Sequence, residues 1–258
     1  MSAPLRLERD GPLAVLTFDS PPLNLFDAAM IEALRGAVAE LDADNPRGLL
    51  VRAEGRVVSG GVNVQLFDGL SVEDAERLWA DLLALVHTVE ELPFPTVFAA
   101  HALCLTAAFE LALACDLLLA AESARFGLVE TVVGLTPAMG GTQRLAERAG
   151  PARARELVMT GETYGAATLE RWNVVNRVLP DEGFDAAARA FAHALASGPT
   201  RAHAATKRIV RAQIVGGARA ADAIVPEVAG GLFATEDLKN AVRSFLEQGP
   251  GKAVYEGR

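Results

Sequence analysis

Cysteine is scarce in this 258-residue chain, which has only Cys104 and Cys115, both set in apolar sequence. That rules out a disulfide framework, and the pair reads as small core residues of a reducing compartment. The four histidines, His87, His101, His193 and His203, are scattered without ligand spacing, so no metal site is expected. No apolar run approaches the roughly 20 residues of a membrane span. The opening residues, Met1-Ser2-Ala3-Pro4-Leu5-Arg6, lack the apolar stretch of a signal peptide. Basic charge is in deficit: 24 Lys and Arg against 33 Asp and Glu give a net charge of −9, which disfavours a nucleic-acid partner. No serine sits in a Gly-x-Ser-x-Gly frame, and no glycine group fits a phosphate loop or dinucleotide fingerprint. The expectation is a cytoplasmic protein with neither a membrane nor a nucleic-acid partner.

What is present is apolar sequence, 51% of the chain, enough for one large core with a smaller appendage. Apolar runs bounded by Gly and Pro predict strands at 13–18, 48–52, 96–100, 117–120 and 174–179. Helical spacing predicts helices over 28–41, with Asp27 as N-cap, and over 72–92. Further helices are expected at 106–114, 140–149, 152–159 and 166–171. From Asp185 every periodic segment is helical: 186–196, 199–215, 221–232 and 236–248. The division falls near Ser197-Gly198-Pro199, giving a mixed α/β unit over 1–196 and a helical region over 197–258.

Two carboxylates stand out because their surroundings are apolar. Glu110 lies in Thr106-Ala107-Ala108-Phe109-Glu110-Leu111-Ala112, and Glu130 closes Phe126-Gly127-Leu128-Val129-Glu130. Burying such groups is costly unless they are hydrogen-bonded or neutralised, so the pair suggests an acid/base site. A strand ending near Ala100 and a helix starting near Thr106 would leave unpaired N–H groups at the helix start, a place that polarises a carbonyl oxygen. Glu110 shares a helix face with Ala107. The loop Ser59-Gly60-Gly61-Val62-Asn63 has similar character, with Asn63 a good N-cap for the next segment. Its amides could donate to the same oxygen.

These segments together resemble the crotonase superfamily, the enoyl-CoA hydratase/isomerase family. The resemblance rests on Pro22-Leu23-Asn24, on Ser59–Asn63, on Ala107–Asp116, on Phe126–Glu130, on Gly134-Leu135-Thr136-Pro137-Ala138-Met139-Gly140-Gly141-Thr142-Gln143-Arg144-Leu145 and on Phe233–Asp237. It implies a crotonase-type spiral of ββα units with a C-terminal helical region that mediates assembly into a homotrimer or dimer of trimers. It implies an acyl-CoA thioester ligand and no separate cofactor. It assigns the oxyanion-hole amides to Gly60 and Ala107, the catalytic carboxylates to Glu110 and Glu130, and water positioning to Ala138. It assigns substrate contacts to Asn24, Val62 and Phe233. The implied activity is hydration of a 2-enoyl-CoA or the reverse. Relatives that isomerise, decarboxylate or work on C–C bonds, or that only bind acyl-CoA, are the alternatives. The chain departs from the usual family pattern at Ala107-Ala108 and Ala138 for Gly, Asn63 for Asp, Val129 for Pro and Gln248 for Lys.

Plainer roles are open at several positions. Glu110 could be a buried structural carboxylate, and Glu130 a strand-end surface residue. His101 reads as a loop residue with a satisfied ring. Arg201, Lys207, Arg208 and Arg211 read as a solvated helix face, or as contacts to CoA phosphate or a neighbouring subunit. Trp79 and Phe67 read as core or interface residues, and Gly140-Gly141 as a tight helix start.

Overall fold

The chain, described from a computed structural model covering residues 3–258, begins with a hairpin. β1 (Leu5–Asp10) pairs antiparallel with β2 (Leu13–Phe18). The sequence pattern hides β1, because Arg6, Glu8, Arg9 and Asp10 dilute its apolar residues. As an edge strand it needs only Leu5 and Leu7 turned inward. α1 (Ala28–Asp44) follows, with the Asp27 carboxylate accepting from Met30 N at 2.8 Å as an N-cap. It buries Met30, Leu34 and Leu41 at helical spacing. β3 (Gly48–Ala53) leads to the loop through Asn63, whose side chain accepts from Gln65 N and caps a 3₁₀ turn, Val64–Phe67. α2 (Val72–Glu91) is capped by Ser71 and stops before Pro93.

The next units repeat one pattern: a strand in a large sheet, a short strand in a small sheet, then a helix. β4 (Thr96–Ala100) and β5 (Cys104–Leu105) precede α3 (Thr106–Ala114). β6 (Leu117–Ala121) and β7 (Arg125–Gly127) precede a 3₁₀ turn, Glu130–Val133, and α4 (Gly141–Ala149). α5 (Pro151–Thr160), β8 (Tyr164–Gly165), α6 (Ala166–Arg171) and β9 (Arg177–Leu179) close the spiral. The large sheet has the order β1-β2-β3-β4-β6-β9, parallel from β2 onward, and the small one β5-β7-β8. Parallel strands covered on both faces read as unbroken apolar runs, which is why β2 and β4 are visible in the sequence. β5, β7 and β8, with two or three residues each, carry too few positions for any periodicity. β9 is shorter than expected, because Val174 and Val175 are buried in the turn before it.

Phe18 joins Phe26 edge-on at 5.5 Å and Phe98 at 6.4 Å in the core beneath the loops. Such aromatic pairs add about 0.5–1.5 kcal/mol beyond burial. After α7 (Phe184–Ala196) come α8 (Thr200–Gly231), broken at Gly217 where φ is +75°, and α9 (Glu236–Gln248). The basic residues of α8 divide: Arg201 and Arg208 are exposed, as a solvated face requires, while Lys207 and Arg211 turn to the core. Lys207 Nζ meets Asp116 Oδ2 at 2.9 Å and donates to Phe94 O at 3.1 Å, and Arg211 meets Glu90 at 2.5 Å. These contacts hold α8 against the α/β core. Among the described residues no helix is long and apolar enough to cross a membrane.

Candidate active site

Every residue of α3 is buried, and only Thr106 and Glu110 among them are polar. A helix apolar on all sides belongs in a core. No side chain caps its first turn, so the leading amides are left for a ligand. The Val58–Val62 loop lies alongside the approach to this helix. Val58 N and Ser59 N donate to Leu103 O at 2.9 and 3.1 Å, and Leu105 N donates to Ser59 O at 3.1 Å. Val62 N donates to Thr106 Oγ1 at 3.0 Å. Gly61 takes φ +103°, and a Cβ there would stand 2.6 Å from Thr106 Oγ1, so only glycine fits this crossing.

Two expected roles are corrected. Gly60 N donates to Leu23 O at 2.8 Å, so this N–H is spent on the Leu23 segment and is not an oxyanion donor. The loop amide beside α3 is that of Val62. Asn24 is buried, and its side chain is committed to backbone: Oδ1 accepts from Ser20 N at 2.7 Å, and Nδ2 donates to Glu54 O and Val57 O at 2.9 and 3.1 Å. Asn24 shapes the loop and has no group left for a substrate.

A cavity of about 210 Å³ opens over this junction. Gly60, Val62, Thr106, Ala107, Glu110, Glu130 and Ala138 all line it. Its lining is otherwise largely apolar and includes Trp79 and Phe67, whose rings are 5.5 Å apart. Those two aromatics are cavity walls, contrary to the sequence expectation. Phe233 is 73% exposed and does not line the cavity. His101 is a loop residue whose Nε2 lies 3.0 Å from Gly55 O.

The two glutamates enter from different elements. Glu110 projects from α3, only 2% exposed, and its Oε2 accepts from Met139 N and Gly141 N, both at 2.8 Å. The start of α4 therefore grips this carboxylate. A Cβ on Gly141 would approach Glu110 Cγ to 2.6 Å, so glycine is needed for that grip. Burial, and then the Glu130 charge, push the Glu110 carboxyl up from its ordinary 4.5 to about 8, against the two amides and Arg144. Glu130 opens the 3₁₀ turn, and burial raises its carboxyl to about 7. Both of its oxygens are buried without a partner among the described residues. Orphaned carboxylate oxygens on a cavity wall are groups waiting for a ligand or water.

The sequence marks the segments that hold Thr106, Met139 and Gly141 but not the part each residue plays in this site. Met139 and Gly141 contribute only amide N–H groups, which every residue but proline carries, and the Thr106 hydroxyl gains its meaning from a loop 44 positions away. With uncapped amides at the start of α3 and two proton-binding carboxyls, the cavity suits acid–base chemistry next to a polarised carbonyl.

The chain matches the enoyl-CoA hydratase/isomerase family model over residues 8–258. A Rhizobium meliloti protein named "Probable enoyl-CoA hydratase" is 31% identical over 261 residues, 98% of each chain. A "Carnitinyl-CoA dehydratase" of Salmonella heidelberg is 33% identical over 214 residues, 82% of each. The crystal structure of an enoyl-CoA hydratase from Bacillus anthracis superposes with a TM-score of 0.91 at 25% identity, covering 99% of this chain and all of that one. The fold, the full-length match and these relatives agree: this chain belongs to the enoyl-CoA hydratase/isomerase family.

Proposed function

We propose that the protein is an enoyl-CoA hydratase, adding water across the double bond of a 2-enoyl-CoA thioester or removing it in reverse. The observation that carries this is the meeting of Glu110 and Glu130 in one apolar cavity against the first turn of α3. The Ala107 amide polarises the thioester oxygen, and such a donor is worth on the order of 3 kcal/mol in the transition state. Glu110, oriented by Met139 and Gly141, and Glu130, with free oxygens, hold one water between them beside Ala138. As that water's oxygen attacks C3, one carboxylate takes its proton. The enolate collapses as a proton is delivered to C2. The protons belong to the pair, because two interacting carboxyls titrate together. No cofactor beyond the coenzyme A of the substrate is required.

The apolar lining with Trp79 and Phe67 accepts an apolar acyl tail. The 197–258 region carries exposed apolar side chains, among them Ile214 on α8 and Val242, Phe245 and Leu246 on α9. They support assembly as a homotrimer or dimer of trimers, in which exposed Phe233 reaches the coenzyme A of a neighbour. The two buried free cysteines accord with a cytoplasmic location.

The test is loss of the conjugated absorbance of crotonyl-CoA and longer 2-enoyl-CoA esters, with light scattering for the mass of the assembly. Turnover that disappears in Glu110→Gln and Glu130→Gln supports the proposal. No hydration at any chain length rejects it in favour of isomerase or other enolate chemistry.

A further inference from the structure

Thr106 holds an unusual backbone position for its residue type. Its φ is +46°, in the left-handed region that a β-branched residue rarely enters. Such a conformation costs on the order of 1–3 kcal/mol and persists where the surroundings enforce it. The surroundings here are specific. Val62 N–H donates to Thr106 Oγ1 at 3.0 Å, and Gly61 is bare of a side chain where the hydroxyl passes. Thr106 is 7% exposed and lines the cavity next to Ala107. Among the described residues its hydroxyl hydrogen meets no acceptor. The hydroxyl therefore takes up the Val62 amide and offers a hydrogen of its own to the cavity.

We propose that the Thr106 hydroxyl is a direct oxyanion donor, relaying the Val62 amide to the thioester oxygen beside the Ala107 N–H. The hole is then built from one backbone amide and one side-chain hydroxyl, not from two amides. A hydroxyl that accepts from an N–H is polarised and donates more strongly, since chained hydrogen bonds reinforce one another. The geometry accounts for two facts together: Gly60 has no amide to give, and the Val62 amide is occupied. The inference rests on the acyl-CoA reading of the cavity given above.

The experiment compares Thr106→Val and Thr106→Ser. Valine keeps the β-branched shape and removes only the hydroxyl; serine keeps the hydroxyl. The readouts are kcat and KM for crotonyl-CoA and the absorption of bound 4-dimethylaminocinnamoyl-CoA, which moves to longer wavelength as its carbonyl is polarised. Thr106→Val is expected to lower kcat by about 10²–10³-fold, the usual loss for one oxyanion donor, with KM changed less than about threefold. The red shift of the bound probe falls with it. Thr106→Ser is expected to retain the shift and most of kcat. A full red shift with near-wild-type kcat in Thr106→Val, or in Thr106→Ala if the valine variant does not fold, overturns the inference. An increase in kcat on removing the hydroxyl also overturns it, since the hydroxyl would then be blocking the Val62 amide. If wild-type protein itself neither binds nor shifts the probe, the acyl-CoA reading fails and this inference with it. A shift unchanged by Thr106→Val sinks the hydroxyl donor alone.

Discussion

The amide of Gly141 donates to Glu110 Oε2 at 2.8 Å, tying the start of α4 to the carboxylate of α3. The bond joins residues 31 positions apart, and it fixes a side chain that the apolar sequence around it could not orient. A methyl at Gly141 would collide with Glu110 Cγ. Gly141→Ala is therefore expected to lower kcat by about 10–100-fold through misplacement of the carboxylate. It should also cost about 1–3 kcal/mol of stability from overpacking. Steady-state rates and urea midpoints check both; unchanged rates would remove Gly141 from the orientation of Glu110.

Glu110→Gln is expected to lower kcat by at least about a hundredfold with little change in thioester affinity, because general acid–base groups typically supply 10²–10⁴-fold. Glu130→Gln should act similarly. A large loss of affinity with kcat preserved would assign these carboxyls to binding instead.

The same groups set a pH dependence of stability. Both folded carboxyls are raised, to about 8 and about 7, above an ordinary 4.5. Between the ordinary and raised values the folded state holds protons that the unfolded chain has lost, so stability falls as pH rises through that interval. The contribution is complete below about pH 4.5 and gone above about pH 8. A Glu110→Gln, Glu130→Gln double variant should be more stable than wild type at pH 8–9 and lose that advantage toward pH 4.5. Denaturant midpoints across this range measure it; identical profiles would show that the burial of the two charges has no such cost.

Trp79→Ala opens the apolar lining of the cavity that also holds the two glutamates. It should lower kcat/KM for crotonyl-CoA and raise it for longer esters, shifting their ratio by about tenfold or more, the scale set by one or two methylene contacts. A uniform loss across chain lengths would mean that Trp79 supports the wall without touching the acyl tail.

Lys207 links α8 to Asp116 and to the carbonyl of Phe94, with 16% of its side chain exposed. Lys207→Met removes both contacts and leaves Asp116 without this cation. Stability should fall by about 1–3 kcal/mol, as for a hydrogen bond to a charged group. Hydrogen exchange should speed up in the first half of α8, while kcat stays within about twofold. Equal protection in α8 would show that its apolar face alone holds it.

The long elements and the two glutamates are legible because they depend on local pattern. β2, β4 and α3 announce themselves as largely apolar runs, α1 by its Asp27 cap, and Glu110 by an acid in a run of Ala, Leu and Phe. The charged edge strand β1 is not legible, since only half of its residues face the core. The fate of Lys207 and Arg211 is not legible either, because their partners Asp116 and Glu90 come from distant elements.

By itself the sequence determined the order of the long helices and the buried strands and supplied two carboxylates in apolar surroundings, since burial and periodicity are written residue by residue. Only the tertiary structure decided which amides are free. Backbone N–H groups are the same in every residue but proline, and their availability depends on who accepts them. That is why the Gly60 amide serves Leu23, the Asn24 side chain serves the loop, and the Thr106 hydroxyl meets Val62 at the cavity wall.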